Sequence, residues 1–129
     1  MEIKTYFETN RGTGVLSTAD ADGDVNSAVY ARPHVLADGQ VSFIMADRLT
    51  RKNLQSNPRA SYLFIEEGKG YHGVRLKLTR VGEENNRELI TKLRRRTYSA
   101  EDEASIGDLH LVHFRLDQQW PLIGSGPEA

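Results

Sequence analysis

Hydrophobic and polar positions change period several times along this chain. From Met1 to Thr9 the apolar residues Ile3, Tyr6 and Phe7 share one helical face, which predicts a short opening helix. The glycine-rich stretch Arg11–Gly14 reads as a link, and Val15–Thr18 as a first strand. Asp22-Gly23 signals a hairpin, after which Val25–Ala31 returns as a second strand and continues past Arg32-Pro33 into His34–Leu36. The proline predicts an edge or a bend there. A second hairpin signal, Asp38-Gly39, leads to a third strand at Val41–Ala46.

The pattern then turns helical. Thr50 is the expected N-cap, and Arg51–Ser56 makes a turn or two of helix before Asn57-Pro58 stops it. Ala60–Ile65 is a fourth strand and Glu66–Gly70 a loop. In Tyr71–Val81, Val74, Leu76 and Leu78 alternate with Arg75, Lys77 and Thr79, the mark of a long half-buried strand. Glu83–Tyr98 has early acids, a Leu89, Ile90 and Leu93 stripe and late bases, predicting the one substantial helix. Tyr98–Gly107 is a polar connection, Leu109–Leu116 the last strand, and Asp117–Ala129 a tail holding Trp120-Pro121. About six strands joined by tight turns predict a mainly β protein, an antiparallel barrel of Greek-key type, with residues 1–129 as a single domain.

Composition narrows the chemistry. A formal net charge of -1 over 129 residues argues against a dedicated nucleic-acid or membrane-surface binder. With no cysteine there is no disulfide, thiolate metal site or cysteine nucleophile. Neither a signal peptide nor an apolar run near the ~20 residues of a membrane span is present, so a cytoplasmic location is expected.

The most informative stretch is Val41–Phe64, which runs strand, short cationic helix start, helix stop, strand. A helix amino end exposes unpaired N–H groups and favours anions. Thr50, Arg51 and Lys52 would add a hydroxyl and two cations there, with Arg48 a further candidate. The competing reading is an N-capped surface helix carrying solvated bases.

Thr50-Arg51-Lys52 followed by Asn57-Pro58-Arg59-Ala60-Ser61 closely resembles the Ser-Arg-Lys…Asn-Pro-Arg-Val-Ser segment of the pyridoxamine 5′-phosphate oxidase-like, FMN-binding split-barrel superfamily. The upstream helix and paired Asp-Gly hairpins fit as well, so the likeness is strong over Met1–Ile65 and holds in outline beyond. It implies an FMN-binding split barrel, a homodimer with FMN at the interface, and the phosphate on Thr50, Arg51 and Lys52. It lays the flavin ring along Ala28, Val29 and Tyr30 and along Ile44, Met45 and Ala46. Relatives often carry a hydroxyl residue where Ala46 stands, so one ring contact is missing here. The oxidases also have a C-terminal arginine- and histidine-containing segment for pyridoxal phosphate, which Gln118–Gly124 does not match. The expectation is therefore an FMN-dependent oxidoreductase of the short, single-domain kind, not a true pyridoxamine phosphate oxidase, with reduced nicotinamide a candidate reductant. A non-catalytic flavin or electron-transfer protein, or a haem- or deazaflavin-binding relative, is the alternative.

Trp120, the only tryptophan, has two readings: a lid on the barrel end, or an aromatic offered to the partner's flavin. His110 and His113 lie three apart on a strand and point to opposite faces, and His34 and His72 are isolated, so no metal site is expected. Arg94-Arg95-Arg96 reads as solvated bases at a helix end. Gly12-Thr13-Gly14 is no dinucleotide fingerprint, and Asp20, Asp22 and Asp24 are turn residues.

Overall fold

The computed structural model describes residues 2–94 and 109–124. Its elements are α1 (Ile3–Thr9), β1 (Gly12–Ala19), β2 (Val25–Val29), β3 (His34–Val35), β4 (Val41–Met45), α2 (Leu49–Ser56), β5 (Arg59–Glu66), β6 (Gly73–Glu84), α3 (Arg87–Arg94) and β7 (His110–Pro121). All strand pairs are antiparallel, in the order β2-β1-β5-β6-β7-β4-β3. The barrel is not closed, since β2 and β3 are free edges of one seven-stranded sheet.

Both hairpin signals act locally, as expected of them. Gly23 and Gly39 take φ values of 88° and 84°, while the Asp20 and Asp38 carboxylates accept turn N–H bonds. Pro33 splits the expected second strand into β2 and β3, giving seven strands among the described residues where about six were expected. The supposed Arg11–Gly14 link is mostly strand. A Cβ at Gly12 would lie 2.0 Å from the Ile65 carbonyl oxygen, so glycine is there to let two strands approach.

Two further boundaries moved for the same kind of reason. Glu83 and Glu84, expected to open a helix, end β6, because Arg51, Arg80 and His113 engage their carboxylates. Asp117–Pro121, expected as tail, belongs to β7 and pairs with β6. The end of the expected helix beyond Arg94 and all of the polar connection lie outside the described residues.

Alternation drives one set of side chains into the main core. Tyr6, Phe7, Phe43, Tyr62, Phe64 and Phe114 form its aromatic centre, with ring centroids 4.9–6.4 Å apart. α3 covers the opposite side of β4 and β7, where Ile90 packs with Ile44, Leu109 and Leu111. β4 is thus buried on both faces.

Candidate functional site

A cavity of about 580 Å³, within the usual range for a cofactor site, opens between β2, the end of β4, the start of α2 and the end of α3. Asn26, Ser27, Ala28, Val29, Tyr30 and Ala31 form one wall and Ile44 and Ala46 another, with Arg48, Leu49 and Thr50 at one end and Arg94 and Leu109 completing the described lining. The walls are mixed, apolar along Ala28, Val29, Ile44, Leu49 and Leu109 and polar at Asn26, Ser27, Thr50 and the arginines. Among the described residues, two arginines line the cavity and no carboxylate residue does.

α2 is held in place by its inner face. Leu54 enters the main core, and the buried Asn53 amide donates to Thr18 Oγ1 at 3.1 Å. The N-cap is Arg48, in extended conformation and without a side-chain cap bond, not Thr50. Thr50 is the second helical residue and buried. Burial pushes the Tyr30 phenol above its ordinary value, while a hydrogen bond with Thr50 and the Arg48 charge act against the rise. The amino end of α2, with its N–H groups uncapped by any side chain, therefore meets the cavity beside two hydroxyls.

The motif cations are placed differently. Arg51 is directed away from the lining, its Nη1 3.0 Å from Asp47 and its Nη2 2.5 Å from Glu83, and Lys52 is exposed. Glu83 also lies 3.3 Å from Arg80 Nη2. The hydrogen bond from Arg51 holds the Glu83 carboxyl below its ordinary value, and burial offsets part of that effect. A lowered carboxyl contributes stability above the unfolded value of 4.5, and loses it as pH falls through the folded value. Glu83→Gln is thus expected to lower the melting temperature at pH 7, with the gap to wild type narrowing once pH falls below 4.5. Melting curves from pH 7 to 3 check this, and a gap independent of pH would count against the pairing.

The other expected ring contacts divide. Met45 has its side chain in the main core, as strand alternation between Ile44 and Ala46 requires. Trp120 stands within β7 opposite Arg75, its ring centroid 5.3 Å from the Arg75 guanidinium and 5.8 Å from the Lys77 ammonium. It does not line this cavity.

Arg94 was expected to be solvated, and is 4% exposed in the cavity wall. The signal was available: Arg94 follows Ile90 by four residues, one turn along the buried stripe. Arg95 and Arg96 lie outside the described residues. His113, weighed above as a metal ligand, has Nδ1 2.7 Å from Ser42 Oγ and Nε2 2.7 Å from Glu84. That order of groups suggests a hydrolase relay, but Ser42 is fully buried and no substrate carbonyl could reach it. Among the described residues no cluster of histidine and carboxylate groups could hold a metal ion, and no helix is long and apolar enough to cross a membrane.

Comparison with known proteins agrees with this fold. No curated protein sequence matches the chain. Among solved structures, HupZ from Group A Streptococcus superposes with a TM-score of 0.72 at 16% identity, over 97% of this chain and 94% of that one. An FMN-binding protein from Syntrophomonas wolfei gives 0.70 at 15% identity, over 96% and 86%. An F420 reductase gives 0.67 at 19% identity, over 85% and 90%. At such identities the likeness establishes the fold. The family model described as pyridoxamine 5'-phosphate oxidase matches residues 2–121, nearly the whole chain, and the protein belongs to that family, with its split-barrel fold.

Proposed function

We propose that this protein is an FMN-binding flavoprotein, an FMN-dependent oxidoreductase of the short, single-domain kind, which works as a homodimer. One observation carries the reading: a cavity with both apolar and polar strand residues in its walls ends at the amino end of α2, whose N-cap makes no side-chain bond, and among the described residues two arginines and no carboxylate line it. An apolar ring system carrying a phosphate suits such a site. The ring would lie against Ala28, Val29, Tyr30, Ile44 and Ala46, and the phosphate toward Thr50 and the cations of the Arg48–Lys52 segment. The FMN-binding protein and the F420 reductase of the same fold support a flavin-type ligand.

When bound, FMN supplies hydride or electron transfer, and reduced nicotinamide is the candidate reductant. The chain's own residues bind and orient the ring and limit its contact with water. Trp120, half-buried under Arg75 and Lys77 on another part of the sheet, would reach a flavin only across a dimer interface.

Titration of the apo-protein with flavins, followed by fluorescence, tests the reading. FMN is expected to bind about tenfold or more tightly than riboflavin, a difference of ~1.4 kcal/mol. Equal affinities would remove the phosphate from the site. Binding of haem with a Soret band, and of no flavin, would replace the reading altogether.

A further inference from the structure

We propose that a second cavity, on the face of the sheet turned away from the aromatic core, binds a small hydroxylated carboxylate between Arg59 and Lys77. This site is independent of the flavin reading.

The cavity has a volume of about 620 Å³ and lies across β1, β5, β6 and β7, reaching α2 only at its carboxy end, at Asn57. Strand register sets its chemistry. Ser17 pairs with Ser61, Ser61 with Lys77 and Lys77 with Gln118, so these side chains form one polar rung across four strands. Directly opposed side chains stand about 5 Å apart. Arg59, two residues before Ser61 on β5, projects from the same face. It is the diagonal neighbour of Lys77, about 7–8 Å away, a gap that two long side chains can close on one anion. The backbone that presents Arg59 is fixed where the chain leaves α2, since the Arg59 N–H donates to Asn57 Oδ1 at 3.1 Å.

Charge selects the ligand. Among the described residues neither Arg59 nor Lys77 belongs to an ion pair. Lys77 instead lies over the Trp120 ring, 5.8 Å from its centroid. The one carboxylate in the described lining, Asp117, is already engaged, by Thr79 Oγ1 at 2.5 Å and Arg115 Nε at 2.7 Å. Those two bonds, Thr79 first, hold its carboxyl below the ordinary value. Two cations against one carboxylate leave a single positive charge in the lining, which suits a monoanion, whereas a phosphate dianion would reverse its sign. A guanidinium fork takes both oxygens of a carboxylate. The Ser61 hydroxyl and the Gln118 amide each donate and accept, so ligand hydroxyls find partners on the same rung. An apolar partner surface laid here would bury both cations without an acceptor. The chemical class selected is a hydroxy acid.

Glycerate is the probe, titrated into the full chain and followed by saturation-transfer NMR. Wild type should show saturable binding, with glycerol and inorganic phosphate about tenfold or more weaker. Arg59→Gln and Lys77→Gln alter exposed side chains, so both variants are expected to melt close to wild type. Each should weaken glycerate about fivefold or more. No saturable binding in wild type, or an unchanged affinity in either variant, would overturn the assignment. Glycerol or phosphate binding as tightly as glycerate would overturn the ligand class. Light scattering on the same samples covers the remaining occupant, a second copy of this chain. A variant that changes the molecular mass makes this face a contact between copies, and the ligand site is then lost; an unchanged mass with weakened glycerate supports it.

Discussion

Gly14→Ala is expected to destabilise the protein by about 3 kcal/mol or more, at the upper end of what overpacking costs. A Cβ at Gly14 would sit 1.8 Å from the Tyr62 hydroxyl and 2.6 Å from the Tyr30 carbonyl oxygen. Those two atoms are themselves bonded, since Tyr62 donates to the Tyr30 carbonyl at 3.0 Å and to that of Ala31 at 3.2 Å. The Tyr30 N–H in turn donates to the Gly14 carbonyl at 3.0 Å. Tyr62 cannot swing aside, because its buried ring is enclosed by Phe7, Phe43 and Phe64. Urea denaturation should show a lower midpoint with an unchanged slope. Because Tyr30 and Ala31 line the cavity, ligand affinity should fall with stability. A loss under ~1 kcal/mol would mean that β1 and β2 part without resistance.

Phe43→Ala is the second large effect, at about 3–5 kcal/mol for an enclosed aromatic ring. Phe43 is 2% exposed and meets Tyr30, Tyr62 and Phe114 with centroids 5.9, 4.9 and 5.8 Å away. It is the packing behind Tyr30, so the substitution removes support from the cavity wall as well as from the core. Phe43→Leu, which keeps much of the volume, should cost clearly less by the same denaturation measurement. Equal losses for the two variants would argue that ring contacts, not volume, set the stability.

These two residues mark where the sequence could be read directly and where it could not. The hairpins at Asp22-Gly23 and Asp38-Gly39 were legible because a positive φ and an aspartate cap are local chemistry. The strand–helix–strand run around Thr50 was legible because its residue types and spacing are specific. Gly12 and Gly14 looked like a link, because the neighbours that call for glycine, Ile65 and Tyr62, lie some fifty residues away. Glu83 looked like a helix-opening acid until Arg51, 32 residues earlier, claimed it. Arg94 looked solvated because three arginines in a row suggest a polar face, and the turn back to Ile90 outweighs them. For the glycines and Glu83 the deciding partner is distant in sequence, whereas for Arg94 it is one helical turn away.

The strand order also sets a timetable. β4 carries one wall of the cavity, yet its only long pairing is with β7, as Ser42 opposite His113, 71 positions later, illustrates. While the chain is still emerging from the ribosome, β1, β2, β5 and β6 can zip together on their own, whereas β4 must wait with an unpaired edge. Ligand capacity should accordingly be the last property a nascent molecule acquires, and a chain stalled before His110 would carry the motif residues without a pocket for them to serve.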